Sequence, residues 1–191
     1  MTPAQDQDEE QVLDAAGIQR LLEQLARQIA VRNHGQLETL ALVGIHRRGV
    51  FLAERLRHIL AGELGHNLPM GQIDITLYRD DSLLSHPSPV LGRTDFPFEV
   101  HNRHIVLVDD VLFTGRTVRA ALDAIVDFGR PRTIQLAVLI DRGHREFPIE
   151  ANYVGLELKT EQAERVEVKI MQVDGEEAVY LTKSPGKPER S

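Results

Sequence analysis

Apolar residues recur along this chain with two different periods. In three segments they return every three or four residues, which predicts amphipathic helices. These segments are Leu13 to about Asn33, Val50 to Leu60 and Thr117 to Phe128. Each is followed by glycines that can end a helix, at Gly35, at Gly62 and Gly65, and at Gly129.

Between these helices lie short continuous apolar runs, which are typical of strands covered on both faces. They are Thr39 to Ile45, Ile105 to Val108 and Thr133 to Ile140. Alternating, β-branched segments predict further strands at Ile73 to Tyr78 and at 151–158, 166–171 and 178–181. Helices that alternate with apolar strands indicate an α/β fold with a central parallel sheet flanked by helices, finished by a smaller β-rich portion.

We expect one domain at residues 13–182, preceded by a disordered acidic segment at 1–12 and followed by a disordered tail at 183–191. The N-terminal residues have neither the basic nor the apolar part of a secretory signal. The stretch from Arg79 to His104 contains three prolines and has no sustained period. An irregular stretch of this length inside a domain is usually functional or mobile.

Composition narrows the classes of function. The chain has no cysteine, which excludes disulfides, thiolate metal sites and cysteine nucleophiles and fits a cytoplasmic location. No apolar run approaches the ~20 residues that cross a bilayer, so no membrane partner is expected. The net charge of -7 argues against a surface that binds nucleic acid all over, but it leaves room for a local basic face.

The segment VLVDDVLFTGRT, Val106 to Thr117, carries the most specific chemistry. The turn from Thr114 to Thr117 precedes a predicted helix, whose free N–H groups and dipole favour an anion. Two adjacent carboxylates, Asp109 and Asp110, would repel a phosphate unless they hold sugar hydroxyls or a divalent cation. A phosphate next to a vicinal diol describes a ribose 5-phosphate. The alternative is a capped helix with two surface acids.

Other phosphate motifs fit less well. Gly44 to Gly49 has P-loop spacing, but Val50 and Phe51 stand where that motif needs Lys and Ser or Thr. No G-x-G-x-x-G follows a strand, which argues against dinucleotide binding.

IVLVDDVLFTGRT resembles the phosphoribosyl pyrophosphate (PRPP) motif of type I phosphoribosyltransferases. With DITLYRDD at 74–81 and IQLAVLIDRGHREFPI at 134–149, the chain resembles more narrowly the PyrR family of pyrimidine operon regulators, which are also uracil phosphoribosyltransferases. The resemblance implies the type I phosphoribosyltransferase fold with a small hood. It also implies PRPP, uracil and UMP as ligands, Mg²⁺ as cofactor, and a homodimer or higher homo-oligomer.

The resemblance also implies roles for particular residues. The catalytic residues would be Arg79, Asp80, Asp109 and Asp110. PRPP would be bound by Ile105, Val106, Leu107, Val108, Asp109, Asp110, Val111, Leu112, Phe113, Thr114, Gly115, Arg116 and Thr117. The pyrophosphate loop would be Ile45, His46, Arg47, Arg48 and Gly49, and uracil would meet Tyr153, Val154 and Gly155 in the hood. No metal ligand is assigned, because Mg²⁺ would arrive with PRPP, and no general base is assigned for uracil.

Family members bind the leader mRNA of pyrimidine operons. The resemblance assigns this contact to Arg27, Arg32, His144 and Arg145. Glu23, Gln24, Glu150 and Leu156 depart from the basic or hydroxylated residues expected at their positions, and each lost phosphate contact weakens RNA binding. Two hypotheses therefore stand, an enzyme that makes UMP and an RNA-binding attenuator that responds to UMP or UTP. An enzyme without RNA binding, or a phosphoribosyltransferase for another base, is the alternative.

Overall fold

The structure is a computed structural model that describes residues 9–75 and 94–183. The strands in these residues are β1 (Glu9–Asp14), β2 (Leu40–Ile45), β3 (Met70–Ile73), β4 (His104–Leu112), β5 (Thr133–Asp141), β6 (Tyr153–Glu157), β7 (Arg165–Lys169) and β8 (Ala178–Thr182). The helices are α1 (Ala15–Arg32), α2 (Arg48–Leu64), α3 (Arg116–Asp127) and the short α4 (Met171–Asp174), and a 3-10 turn covers Leu37–Thr39.

Five strands form one parallel sheet in the order β3-β2-β4-β5-β6. The other three form a small antiparallel sheet in the order β1-β8-β7. This second sheet, together with α4, is called the hood below. The predicted α/β architecture, a parallel sheet flanked by helices with a smaller β-rich portion, is confirmed.

Alternate side chains of the central strands enter two separate cores. Leu42 and Val106 pack with α1 and α2 on one face of the sheet. Val43 and Leu107, their chain neighbours, pack with α3 on the other face. Both faces are buried, which is why β2, β4 and β5 are continuous apolar runs in the sequence.

Helix α1 begins two residues later than its apolar pattern suggests, because Asp14 caps it. The Asp14 carboxylate accepts a hydrogen bond from the Gly17 N–H at 2.7 Å. Residues before the cap form β1, which pairs with β8. The prediction that residues 1–12 are disordered is therefore wrong for Glu9 to Val12, whereas residues 1–8 lie outside the described part. At the other end α1 stops at Arg32, before the predicted Gly35.

Strand β3 differs most from its predicted bounds. It covers Met70–Ile73, whereas the sequence pattern favoured Ile73 to Tyr78, of which 76–78 lie outside the described residues. The reason is its neighbour: Ile73 pairs with Ile45, the last residue of β2. The last backbone hydrogen bond between the two segments runs from the His46 N–H to the Ile73 carbonyl, at 2.9 Å, and β2 has already ended at Ile45.

The opposite happens at β4, which continues past Val108 to Leu112. Strand β5 continues alongside, with Asp109 opposite Val138 and Leu112 opposite Asp141. The two carboxylates therefore lie within the strand. Helix α2 is also longer than predicted, beginning at Arg48 and ending at Leu64, with Gly62 inside it and Gly65 as its C-cap.

Candidate active site

Three sequence motifs meet at one edge of the parallel sheet. Strand β2 leads into His46 to Gly49, β4 carries the two carboxylates and leads into Thr114 to Thr117, and β5 leads into Asp141 to Arg145. In parallel α/β sheets, ligands bind in the crevice outside the carboxyl ends of the strands. The fold thus brings together segments that are far apart in the sequence.

The two carboxylates differ in exposure and surroundings. Asp109 is only 6% exposed, and its Oδ1 accepts a hydrogen bond from the Asp110 N–H at 2.9 Å. Asp110 is half-buried, and its Oδ1 accepts from the Val111 N–H at the same distance. The charge of Asp110 also helps to raise the pKa of Arg48, after the larger effect of Asp174. Asp110 is therefore the more accessible of the pair.

A small cavity lies where β4 turns into α3. It has a volume of about 280 Å³ and is lined by residues 111–118 and Glu146. Gly115 has a φ of 89°, a left-handed conformation that a side chain rarely tolerates, and α3 begins at the next residue. The N–H groups of the helix N-terminus face this turn, where the Arg116 N–H donates to the Thr114 Oγ1 at 3.3 Å, and Thr117 adds a second hydroxyl. The geometry suits an anion of the size of a phosphate.

The loop after β5 supports this phosphate turn. The backbone N–H groups of Glu146 and Phe147 both donate to the Thr114 carbonyl, at 2.9 and 3.1 Å. The Arg116 guanidinium donates to Glu146 at 2.7 Å and lies 5.5 Å from the Phe147 ring centroid. Arg116 therefore offsets a carboxylate at the rim of the anion cavity.

The first part of the predicted PRPP run is buried inside the sheet. Ile105, Val106, Leu107 and Val108 are at most 2% exposed and form the centre of the sheet. Their role is to hold the carboxylates and the turn that follow. A strand between two covered faces has no open side, so these four residues offer no exposed side chain to a ligand.

The predicted pyrophosphate loop is shorter than its motif. Ile45 is buried at the end of β2, only His46 and Arg47 form the turn, and Arg48 is already the first residue of α2. The His46–Arg47 peptide bond is cis. A Cβ at Gly49 would clash with the Val108 carbonyl and lie 3.3 Å from the Asp109 Cα. Glycine is therefore needed for α2 to approach the carboxylates.

Arg48 forms a two-point ion pair with the hood. Its Nε and Nη2 donate to the two carboxylate oxygens of Asp174, at 3.0 and 2.7 Å. The Ile170 N–H also donates to Asp174, at 2.8 Å. The hydrogen bond from Arg48 is the main reason that the pKa of Asp174 lies below its ordinary value. This pair, which the sequence did not predict, ties the pyrophosphate turn to α4.

We expect the variant Asp174→Asn to change how stability depends on pH. Because the pKa of Asp174 is lowered in the folded protein, the carboxylate stabilises the fold fully above its ordinary pKa of 3.8. That contribution is lost as the pH falls through the folded-state pKa. Urea unfolding at neutral pH should show the variant less stable by about 1 kcal/mol, and the two curves should converge in acid.

The matched control is Asp123→Asn, which breaks an exposed pair with Arg119 on α3. Its effect should stay below that of Asp174→Asn at neutral pH, because an exposed one-point pair contributes little. A difference between wild type and Asp174→Asn that is constant from neutral pH into acid would contradict this account of the pair.

A larger cavity of about 630 Å³ lies on the other side of Val111 and Phe113, which line both cavities. We call it the base-end cavity. Its remaining lining includes Arg142 and the hood residues 162–167. Val111, which lines both cavities, directly follows the Asp109–Asp110 pair. The sequence missed Arg142, although its place directly after a buried strand could have indicated it.

The predicted uracil-binding residues lie elsewhere. Tyr153 is 2% exposed, and its hydroxyl accepts from the Asn33 amide at 2.9 Å beneath α1. The Gly155 backbone packs against the Leu139 carbonyl. Val154 lines a different cavity, beside His144 and Lys159. Since β6 belongs to the edge of the main sheet and not to the hood, these three residues do not line the base-end cavity.

Three of the four predicted RNA-contacting residues are exposed. Arg27 and Arg32 project from α1, with Arg32 lying 5.7 Å from the Tyr153 ring centroid, and His144 contacts the Thr160 carbonyl at 2.7 Å. Arg145 is instead engaged inside the protein. It pairs with Asp141 and donates to three backbone carbonyls of the surrounding loops. Its first role is to shape the loop after β5.

The residues that stand in place of the expected basic residues also differ in how exposed they are. Glu150 is exposed, so it places a negative charge on the surface near His144 and Arg145. Leu156 is partly buried and packs on the core under α1 and α2. The predicted catalytic residues Arg79 and Asp80 lie outside the described part of the chain.

Two features are absent from the part of the chain that the structure describes. None of the helices in this part of the chain combines the length and apolar character that a membrane crossing requires. Within residues 9–75 and 94–183, no group of three or more His, Asp or Glu side chains could hold a metal ion.

Comparisons with known proteins agree with the geometry. Residues 8–170 match the family model of the phosphoribosyl transferase domain. The chain is 54% identical to the bifunctional protein PyrR of Pelotomaculum thermopropionicum, over 90% of this chain and 94% of the relative. It is 53% identical to the bifunctional protein PyrR of Chloroflexus aurantiacus, over 91% and 95%.

Solved structures with a similar fold are more distant in sequence. The hypoxanthine phosphoribosyl transferase of Trypanosoma cruzi superposes with a TM-score of 0.68 over 95% of both chains, at 16% identity. A hypoxanthine phosphoribosyltransferase of Staphylococcus aureus gives 0.65 over 99% of both, at 20% identity. At these identities the likeness concerns the fold alone.

Proposed function

Because this chain belongs to the phosphoribosyltransferase family, and within it to the bifunctional PyrR proteins, we propose that it converts uracil and PRPP to UMP and pyrophosphate and also regulates pyrimidine genes by binding their leader mRNA. One observation carries the enzymatic part. An anion cavity at a helix N-terminus and a larger ring-sized cavity share Val111 and Phe113, directly after the Asp109–Asp110 pair. Phosphate, ribose diol and base follow each other in the same order in UMP.

Each part of the site has a place in the reaction. Displacing pyrophosphate from C1 of PRPP passes through an oxocarbenium-like state, in which negative charge leaves and positive charge develops on the ribose. The 5-phosphate would be held by the turn at Thr114 to Thr117, and the ribose hydroxyls by Asp109 and Asp110. Fixing both ends of the ribose orients C1 towards the base, which lowers the entropic part of the barrier.

The departing charge would be stabilised at the turn between β2 and α2. Arg48 lies there, and the exposed Arg47 adds a second cation. Because Arg48 is already paired with Asp174, pyrophosphate would have to compete with that carboxylate or bind beside it. Arg79 and Asp80 remain catalytic residues on the family resemblance alone.

Mg²⁺ would need oxygen ligands from the substrate as well as from the protein at this site. The described residues supply the carboxylates of Asp109 and Asp110 but no three-ligand cluster, so PRPP oxygens would complete the octahedral set that Mg²⁺ prefers. When bound, the ion would neutralise charge on the pyrophosphate.

The enzymatic proposal is tested by incubating the protein with uracil, PRPP and Mg²⁺ and following UMP and pyrophosphate by chromatography. We expect the two products in equal amounts, with no release when uracil is omitted. Hypoxanthine and orotate serve as competing bases in the same assay. Turnover of either in preference to uracil, or no uracil-dependent product, would redirect the proposal to another base.

The RNA-binding proposal rests on the PyrR relatives, on the exposed arginines of α1 and on the exposed His144 in the loop after β5. Arg32 lies over Tyr153 at the start of β6, and His144 contacts Thr160 shortly after its end. At ~3.3 Å per residue, these two groups lie at opposite ends of a strand about 16 Å long. Two groups at this separation could contact different phosphates of one RNA strand, and a homodimer would present two such pairs. Leader transcripts would make the cytoplasm its place of action.

Gel-shift titration against the leader RNA of the chain's own pyrimidine operon tests whether the protein binds this RNA. We expect UMP to strengthen binding at physiological salt and Arg27→Ala with Arg32→Ala to weaken it and flatten its salt dependence. Arg130→Ala, an exposed arginine beyond α3, is the matched control. Binding that is micromolar or weaker and indifferent to UMP would leave an enzyme without this regulatory role.

A further inference from the structure

Two ion pairs hold the hood against α2. Arg48 pairs with Asp174 at 2.7 Å, and Arg55 pairs with Glu177. The two arginines are seven positions apart, close to two turns of helix, so they lie on the same side of α2. The two acids lie on either side of the turn that follows α4. The hood is therefore fastened at two points, one of which is beside the pyrophosphate turn.

Arg48 lies close to the candidate site as well as to the hood. The hydrogen bond to Asp174 does most to raise the pKa of Arg48, and the charges of Asp110 and Glu167 add to this effect. Asp110 belongs to the carboxylate pair, and Glu167 lines the base-end cavity. Arg48 is therefore near enough to the ribose end, the base end and the hood for the charges of all three to act on it.

Asp174 engages one whole edge of the Arg48 guanidinium. The Nε and Nη2 groups of Arg48 donate to different oxygens of the same carboxylate, at 3.0 and 2.7 Å. Arginine binds carboxylates and phosphates in the same two-point manner, because both present two oxygens that match the guanidinium fork. A pyrophosphate bound beside the pair would lie next to the Asp174 carboxylate, and like charges at short range repel. The geometry therefore favours exchange of one anion for the other.

Asp174 can release Arg48 without being left unpartnered. One of its carboxylate oxygens also accepts from the Ile170 N–H, at 2.8 Å, and its side chain is 17% exposed, so water can replace the lost donors. The hood stays attached as well, because Arg55 still donates to Glu177. Exchange of Arg48 from the carboxylate to a pyrophosphate therefore leaves neither a buried charge without a partner nor a detached hood.

We propose that Asp174 occupies the donors of Arg48 that the pyrophosphate group of PRPP and the released pyrophosphate use, and so competes with both from within the protein. This inference rests on the proposed function. Arg48 passes from Asp174 to the pyrophosphate group when PRPP binds, and the carboxylate takes it back when the product leaves. Asp174 touches no reacting atom, so it is a positioning residue that acts through Arg48. It weakens the binding of PRPP and of pyrophosphate and promotes release of the product.

The variant Asp174→Asn tests the competition, because the amide removes the charge but keeps an oxygen for the Ile170 N–H. We expect the dissociation constant of pyrophosphate, measured with Mg²⁺ by isothermal titration calorimetry, to fall about fivefold, the range of a partly exposed ion pair. In the UMP assay, KM for PRPP and the inhibition constant of pyrophosphate should fall by a similar factor, while kcat does not rise. A role of Asp174 in stability alone would raise these constants or leave them unchanged.

Two matched controls come from the same turn of the hood. Glu177→Gln breaks the Arg55 pair, and Glu176→Gln removes an equal charge that is paired with Lys169 within the hood. Both should leave the dissociation constant of pyrophosphate within about twofold of wild type, because neither acid contacts Arg48. Tightening by Glu177→Gln equal to that by Asp174→Asn would assign the effect to a loosened hood. Equal tightening by Glu176→Gln would assign it to charge alone, and either result overturns the inference.

The outcomes separate this inference from the proposed function. A wild type that makes no UMP contradicts the proposed function itself. A wild type that makes UMP, combined with an Asp174→Asn variant that binds pyrophosphate no more tightly, overturns the inference alone. The variant Asp174→Ser, which also lacks the charge, takes the place of Asp174→Asn in both assays if the amide variant does not fold.

Discussion

The variant Asp110→Asn should lose about 10- to 100-fold in kcat/KM for PRPP, because an amide replaces one charged acceptor of the ribose hydroxyls. Asp110 is half-buried and directly precedes Val111, which lines both cavities. The combined variant Asp109→Asn with Asp110→Asn should lose about 1,000-fold or more. Steady-state UMP formation at varied PRPP concentration measures the effect.

The two single variants should differ in stability. Asp109 is buried at the closest approach of α2, whereas Asp110 is more open. We therefore expect Asp109→Asn to lower the urea midpoint as well as activity, and Asp110→Asn to lower activity alone. Asp123→Asn, which removes a charge from the exposed side of α3, should leave kcat/KM within twofold of wild type. Full turnover in the combined variant would show that the two carboxylates have no role in the reaction.

The second large effect is expected from Gly49→Ala. Its Cβ would clash with the Val108 carbonyl, which is backbone in the centre of the sheet and cannot yield. The N-terminus of α2 would have to move away from β4, taking Arg48 and the pyrophosphate turn with it. We expect a loss of about 1–3 kcal/mol in unfolding free energy, the usual range for overpacking, and a larger proportional loss of kcat/KM.

Gly62→Ala is the matched control within the same helix. No atom lies within 4 Å of a Cβ built at Gly62. Alanine in a helix interior is favoured over glycine by about 0.5–1 kcal/mol, so this variant should be slightly more stable and fully active. A Gly49→Ala variant as stable and as active as Gly62→Ala would show that the close approach of α2 and β4 matters neither for stability nor for activity.

The elements that the sequence predicted well are those whose apolar side chains are buried by neighbouring elements in a regular pattern. Strands β2, β4 and β5 have two buried faces, and α1 has a continuous apolar stripe, so their patterns are visible without knowledge of the neighbours. Strand β1, with the sequence EEQVLD, was missed. Its residues are mostly exposed, and it exists because β8 supplies backbone partners.

The parts of the candidate site also differed in how well the sequence predicted them. The sequence predicted a strand that leads through Asp109 and Asp110 and a turn into a helix, because one continuous segment builds this arrangement. The Arg48–Asp174 pair was not predicted, since its partners are 126 positions apart in sequence. The base-end cavity likewise combines Phe113, Arg142 and the hood, and sequence order gave no reason to prefer 162–167 over Tyr153 to Gly155.

The hood has a consequence for the order in which the protein becomes active during synthesis. The edge strand β1 is made first, and its one partner among the described strands is β8, which follows every strand of the parallel sheet. Such a distant pairing closes late, because loop-closure entropy opposes it until the intervening chain has folded. A ribosome-bound chain stalled before Ala178 could therefore hold a phosphate turn while its base-end cavity still lacked a wall. The nascent protein would complete the turn at Thr114 to Thr117 before the hood closes the larger cavity beside it.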